Sequence, residues 1–182
     1  ARSGQEVLED GNAIYSVAQW YPRMCAYTDV HGWRHRQYIG GGEFTLEFGN
    51  FLVKITAPED HVVASTGSLQ NPKDVLTQLQ RKRLAEAAGA RKPVMIVTRK
   101  EAAESRKKRL EGKKTWVFHA QNVRDFAFAT SRAFVWDAMP SKGDGFSTMC
   151  MSYYPSEAMP LWDRYATHAT AQTIEVFSRH TV

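Results

Sequence analysis

The chain has 182 residues, of which 43% are hydrophobic and 24% are charged, a composition that excludes a disordered chain and indicates one domain folded around a hydrophobic core. Much of the formal net charge of +5 lies in two basic runs, residues 81–83 and 106–109, within polar segments of helical pattern, so we interpret both runs as solvated helix faces and predict no nucleic-acid partner. The two cysteines, Cys25 and Cys150, exclude a disulfide framework and a thiolate zinc cage, and no apolar run reaches the ~18 residues of a membrane span.

The N-terminal part of the chain predicts a strand followed by an irregular aromatic segment. Residues 12–18, NAIYSVA, have the partial apolar alternation of a strand. Pro22 has no backbone N–H to donate to a sheet, which argues against a central strand in the segment that follows. Three consecutive glycines at residues 40–42 predict a flexible turn.

The clearest strand pattern in the sequence lies between residues 44 and 55. Apolar residues alternate with polar ones over 44–48 and again, with the opposite parity, over 51–55. A change of parity within one strand requires an extra residue, so we predict a bulge or bend at Gly49 and Asn50. Residues 61–66 predict a returning strand.

The apolar period then changes from that of a strand to that of a helix. Residues 72–90 predict one amphipathic helix, and residues 94–97 predict a short buried strand. Thr98 and Glu101 have the spacing of a capping box, which opens a second charged helix. Because both helices interrupt a β pattern, we interpret residues 72–112 as a helical insertion. We predict that the second helix ends near Gly112.

The C-terminal part returns to β structure and then ends in a helix. Strands are predicted at residues 115–123, 131–139 and 146–154, with a hairpin turn at 142–145. Residues 161–177 carry a wide apolar stripe at helical spacing. If the rest of the domain does not cover this stripe, its partner must come from other sequence.

Together these elements predict a mainly β fold: an antiparallel, saddle-like β-sandwich of six to nine strands, with a helical insertion and a C-terminal α-helix. We assign residues 1–152 to the β-sandwich domain and residues 153–182 to a linker and one helix.

No catalytic or metal-binding motif is recognisable in the residues themselves. Nucleophile elbows, phosphate loops, calcium loops and the His-Glu-x-x-His pattern are all missing from the sequence. His31 and His35 are four residues apart, but Gly32 argues against a shared helix face, so a solvated loop is the favoured interpretation. His119 on a predicted strand is interpreted as a half-buried core histidine. Three aspartates have suitable chemistry without any pattern that pairs them: Asp29, Asp125 and Asp137.

Three stretches, taken in order, resemble a known family. They are AQWYPRMCAYTDVHGW, GEFTLEFGNFLVKITAPEDHVVASTGSLQNP and NVRDFAFATSRAFVWDAM. In this order they resemble the N-terminal domain of the zinc aminopeptidases of the aminopeptidase N type, a gluzincin family, and the resemblance extends over residues 15–177. The positions that match the family pattern are Gln19, Tyr21, Pro22, Asp29 and residues 51–58, 64–67 and 126–134.

The resemblance implies a β domain packed over a thermolysin-like catalytic domain, with the peptide substrate held between them. It implies that Gln19 reaches the free amino group or the first side-chain pocket of the substrate, although by its position alone Gln19 is an ordinary polar residue at a strand end. Residues 153–182 would be the linker and first helix of the catalytic domain. The zinc ligands and the catalytic Glu would lie beyond residue 182, so we expect zinc in the parent protein, no cofactor in this chain, and no activity from the chain alone.

Two other functions remain open from the residues. A stand-alone β-sandwich module that binds a glycan or a protein ligand is suggested by an aromatic set that could form a stacking platform. These residues are Trp20, Tyr21, Tyr27, Trp33 and Tyr38. A nucleic-acid binder that uses the two basic helices ranks last.

Overall fold

The structure is a computed structural model that describes residues 2–37, 45–143 and 145–180. Its strands are β1 (Arg2–Val7), β2 (Ala13–Ala18), β3 (Tyr27–Thr28), β4 (Gly32–Trp33), β5 (Gly49–Pro58), β6 (Val62–Ser65), β7 (Ser68–Leu69), β8 (Val94–Val97), β9 (Lys113–Val123), β10 (Phe128–Ser131), β11 (Phe134–Gly143) and β12 (Phe146–Pro155). Its helices are α1 (Pro72–Val75), α2 (Gln78–Ala87), α3 (Arg99–Lys107) and α4 (Leu161–His180), with a short 3-10 turn at Ser156–Ala158.

The strands form antiparallel sheets that share one core. A four-stranded sheet has the order β1-β2-β10-β6, two three-stranded sheets have the orders β5-β9-β7 and β12-β11-β8, and β3 pairs with β4 in a small hairpin. Every strand pairing is antiparallel. Buried side chains from all three larger sheets and from α1, α2 and α3 form one contiguous cluster. The predicted mainly β, sandwich-like antiparallel fold with a C-terminal helix is therefore confirmed.

Strand β5 confirms the predicted bulge and corrects the residues before it. Its register against β9 shifts between Gly49 and Phe51, and from Phe51 onward alternate residues face the core. A strand is also predicted over residues 44–48, but residues 45–48 are not in a strand, because the pairing of β5 with β9 stops at Gly49. Phe48 instead packs its ring 4.7 Å from the guanidinium of Arg124. Phe44 and the glycines at 40–42 lie outside the described residues.

The insertion at residues 72–112 differs from its predicted form in two ways. The single predicted helix is broken at Leu76, whose backbone is extended, and Thr77 starts α2 with a capping box to Gln80. The capping box of α3 is present as predicted, but α3 ends at Lys107 rather than near residue 112. The insertion also contributes β8 to a sheet, so it is part of the core and not an appendage.

The two basic runs are only partly solvated, which corrects their interpretation as helix faces. Arg106 donates to Asp10 Oδ2 and Glu157 Oε1, each at 2.5 Å, and its side chain is largely buried. Hydrogen bonds from this guanidinium hold the pKa of Asp10 well below its usual range. Arg83 pairs with Glu101 at 2.7 Å. These arginines join separate parts of the fold, which hydropathy alone does not reveal.

Helix α4 turns its predicted apolar stripe away from the sheet. The buried positions on α4 are Thr167 and Ala171, which face β11 and β12. Leu161, Trp162 and Tyr165, on the stripe, are exposed. Within the described ranges, no helix is long and apolar enough to cross a membrane. Leu161 and Tyr165 are therefore largely uncovered by the described part of the domain, and Trp162 is half-exposed although its ring lies 5.9 Å from that of Tyr154.

Candidate functional site

Gln19, the predicted substrate-binding residue, has an unusual backbone conformation directly after β2. Its φ is +49°, in the left-handed region, which disfavours residues with a Cβ by roughly 1–2 kcal/mol. The side chain is half-buried and makes no hydrogen bond to the described part of the chain. Gln19 therefore combines a strained backbone with an amide group that has no partner in this structure.

The two residues after Gln19 are fixed to the connection between β9 and β10. Trp20 Nε1 donates to the carbonyl oxygen of Phe126 at 3.0 Å, and the Tyr21 hydroxyl donates to Asp125 Oδ1 at 2.9 Å. Arg23 forms an ion pair with the other oxygen of Asp125, also at 2.9 Å. Burial, together with the hydrogen bond to Asp125, raises the pKa of Tyr21. The Tyr21 hydroxyl therefore keeps its proton near neutral pH and remains the donor.

An aromatic cluster packs against Trp20 and Tyr21, the two residues that follow Gln19. The rings of Phe126 and Phe128 lie edge-on to Trp20 at centroid distances of 6.5 and 5.9 Å. Phe51 contacts both Tyr21, at 5.5 Å, and Phe126, at 5.9 Å. Phe126 is 0% exposed. Aromatic rings in edge-to-face contact restrict one another's orientation, so the segment carrying Gln19 rests on a packed base.

This arrangement can bind a polar group but has no catalytic constellation. The amide of Gln19 offers one acceptor oxygen and two N–H donors, which suits an ammonium or a peptide group. The neighbouring charges, Arg23 and Asp125, neutralise each other. The sequence marks Gln19 and Asp125 separately, but no pattern in it pairs Asp125 with Tyr21 and Arg23, because about a hundred residues separate the partners.

The other polar residues of the sequence analysis do not join this site. His31 and His35 lie on an exposed loop, where a nitrogen of His35 lies 2.9 Å from the carbonyl oxygen of Trp33. His119 is half-buried on β9. In residues 2–37, 45–143 and 145–180, no three His, Cys, Asp or Glu side chains converge so as to hold a metal ion. The side chains described here therefore do not fit a zinc site.

The predicted aromatic platform is divided between two places. Trp20 and Tyr21 belong to the cluster under Gln19, whereas Tyr27 and Trp33 pair across the small β3–β4 hairpin. The rings of Tyr27 and Trp33 are 5.2 Å apart and inclined at 72°, so they do not form one flat stacking surface. Tyr38 lies outside the described residues.

His61 is a buried histidine that the sequence did not single out. Its Nδ1 lies 3.1 Å from the Thr130 hydroxyl, and its ring stacks on Tyr15 at 6.3 Å. Burial lowers the pKa of His61, so the ring is neutral near pH 7. No sequence pattern marks this residue, because its partners come from β2 and β10.

A second polar cluster fastens α4 to the sheet. Asp137 of β11 is buried and accepts hydrogen bonds from Thr167 of α4 and from the Tyr154 hydroxyl, the latter at 2.5 Å. Thr167 also pairs with Ser152 at 2.6 Å. Burial raises the pKa of Asp137 above its usual value of 3.8, and the two hydrogen bonds oppose that rise. The cluster explains why a polar position of α4, and not its apolar stripe, faces the sheet.

This buried carboxyl predicts an unusual pH dependence of stability. A carboxyl whose pKa is higher in the folded chain binds its proton more tightly when folded, so its contribution to stability falls as pH rises from about 3.8 through the folded pKa. Relative to Asp137→Asn, which cannot ionise, the unmodified chain should lose stability across that window. Urea unfolding at a series of pH values from about 4 to about 8 measures the difference.

The hydrogen bond from Thr167 provides a second arm for this test. Because that bond lowers the folded pKa of Asp137, Thr167→Val should extend the upper end of the window of falling stability to higher pH. Parallel stability curves for Asp137→Asn and the unmodified chain would show that the carboxyl titrates alike in the folded and unfolded states.

No protein-family model, no curated protein and no solved structure matches the chain. What the chain does must therefore be inferred from its residues and their geometry.

Proposed function

We propose that the chain is the substrate-side β domain of a zinc-dependent aminopeptidase of the aminopeptidase N type. In this proposal the parent protein hydrolyses N-terminal residues from peptides, and Gln19 contacts the free amino group or the first side chain of the substrate. The observation that carries the proposal is the left-handed backbone of Gln19, whose amide has no hydrogen-bond partner within residues 2–37, 45–143 and 145–180.

Strain of this kind supports a binding role for Gln19. Left-handed backbone at a residue with a Cβ persists only when the surroundings impose it, and such residues are concentrated at functional sites. The surroundings here are the hydrogen bonds of Trp20 and Tyr21 and the buried ring of Phe126.

The uncovered stripe of α4 supports a second domain. Large exposed apolar side chains that cluster on one face mark contact surfaces, and the stripe carries Leu161, Trp162 and Tyr165. The opposite face of α4 is already fastened to β11 and β12 through Thr167. A catalytic domain packed on the stripe would use α4 as the joint between the two domains.

Zinc belongs to the catalytic domain in this proposal. The described side chains offer no set of ligands for it, so the β domain contributes to binding and orientation of the peptide and not to its cleavage. The 182-residue chain alone is accordingly expected to be inactive.

The test compares the chain with the protein encoded by its whole gene. The coding sequence should continue into a His-Glu-x-x-His motif, and the whole protein should cleave leucine p-nitroanilide in a chelator-sensitive manner. In the whole protein, Gln19→Ala should raise KM by about tenfold with a smaller change in kcat, since a hydrogen bond to a charged group contributes about 1.5–3 kcal/mol.

Gln5→Ala is the matched control, because Gln5 is an exposed glutamine on β1 of the same sheet and should leave KM unchanged. Two outcomes would contradict the proposal: a gene that ends without the motif, or a 182-residue chain that cleaves the anilide by itself. Unchanged KM in Gln19→Ala beside an active parent would remove only the role of Gln19.

A further inference from the structure

A cavity of about 660 Å³ opens between β9 on one side and β11 and β12 on the other, with α1 and α2 at its margin. Small-molecule sites commonly have volumes of about 300–1,000 Å³. Most of the lining is aromatic or aliphatic, and it includes Leu84, Trp116, Phe118, Trp136, Met149 and Tyr153. Methionine side chains adapt their shape to a ligand, so the lining suits a flexible apolar body.

Two of the lining residues have unpaired hydrogen-bond donors. Trp116 and Trp136 are 2% and 3% exposed, and neither indole N–H has an acceptor among the described residues. Unpaired donors at buried positions are uncommon in folded proteins because they have lost water without gaining a partner. A ligand that brings an acceptor to these rings would satisfy the donors.

Arg81 of α2 adds a positive charge to the same lining. One of its guanidinium nitrogens donates to the carbonyl oxygen of Leu76 at 2.6 Å. No Asp or Glu in the described ranges forms an ion pair with Arg81, whereas Arg83 on the same helix is paired with Glu101. The remaining N–H donors of Arg81 suit a carboxylate.

We propose that this cavity binds an alkyl carboxylate. The alkyl chain packs against the aromatic and methionine side chains, and the carboxylate lies at Arg81, in the same lining as the two unpaired indole donors. This ligand satisfies the charge and the unpaired donors together, which neither a neutral lipid nor a cation does. The inference does not depend on the proposed peptidase function, because it uses none of the residues around Gln19.

Isothermal titration of the 182-residue chain with decanoate, below its micelle concentration, tests the proposal. Saturable binding with one site is expected. Decanol has the same alkyl chain without the charge and should bind about tenfold more weakly or worse. Trp136→Phe, which keeps the ring and removes the N–H, should also weaken decanoate binding.

Arg81→Gln should weaken decanoate binding by about tenfold, and Lys82→Gln is its matched control. Lys82 lies next to Arg81 on α2, and its loss changes the net charge equally, but its side chain is exposed. Lys82→Gln should therefore leave the dissociation constant within about twofold. Absence of saturable binding, or equal binding of decanoate and decanol, would overturn the proposal. If Arg81→Gln fails to fold by circular dichroism, the ratio of decanoate to decanol affinity in the unmodified chain decides.

Discussion

Arg132→Met is expected to lower the free energy of unfolding by about 3–5 kcal/mol. Arg132 and Asp60 form a two-pronged ion pair with N–O distances of 3.0 and 3.3 Å, and their side chains are only 11% and 3% exposed. Removing the guanidinium leaves the Asp60 carboxylate buried without its counter-charge, which costs far more than the attraction of an exposed pair. Urea unfolding followed by circular dichroism measures the loss.

Arg179→Met is the matched control for this prediction. Arg179 pairs with Glu175 at 2.6 Å on the exposed face of α4, where an ion pair contributes about 0.3–0.5 kcal/mol. Adding Asp60→Asn to Arg132→Met should restore part of the lost stability, since it removes the uncompensated charge. A loss below about 1 kcal/mol for Arg132→Met would mean that water reaches Asp60.

Phe126→Ala is expected to destabilise the chain by about 3–5 kcal/mol and to loosen the segment that carries Gln19. The ring of Phe126 lies in contact with both Trp20 and Phe51, so its removal leaves a cavity directly under the candidate site. Two readouts should change together: the urea midpoint, and the NMR signal of the Trp20 indole N–H, which donates to the carbonyl oxygen of Phe126. If the proposed peptidase function holds, KM of the whole protein should rise as well.

Phe48→Ala is the control, because Phe48 is 55% exposed and its ring lies against the guanidinium of Arg124 at the surface. It should cost about 1 kcal/mol or less. If Phe126→Ala lowers stability but leaves the Trp20 signal and KM unchanged, the aromatic cluster supports the core and does not position Gln19.

The elements predictable from the sequence are those set by local patterns. The face of β5 that carries Phe51 was predictable because side chains alternate on a strand. The start of α3 was predictable because the side chains of Thr98 and Glu101 hydrogen-bond to each other's backbone. The break at Leu76 was missed because α1 and α2 continue the same helical spacing. Only the capping box at Thr77 signals a new helix there.

Features made by distant residues were not predictable from one sequence. The orientation of α4 depends on the polar contact between Thr167 and Asp137. A hydropathy pattern predicts instead that the apolar stripe of α4 faces the sheet. The partners of Asp125 depend on which strands become neighbours. At the candidate site, Gln19 was found through a family resemblance, whereas its left-handed backbone is a consequence of packing that no local pattern shows.

The ion pairs of Arg106 have a consequence for how the chain folds during synthesis. Asp10 lies in the first hairpin, and Glu157 lies in the turn just before α4. Both must be present before Arg106 has its full set of partners, and they are almost the whole length of the chain apart. While Glu157 is still inside the ribosome, Arg106 can pair with Asp10 of the first hairpin but lacks the contact that ties both to the turn before α4. The three-way contact of Arg106 therefore closes only after residue 157 has emerged from the ribosome.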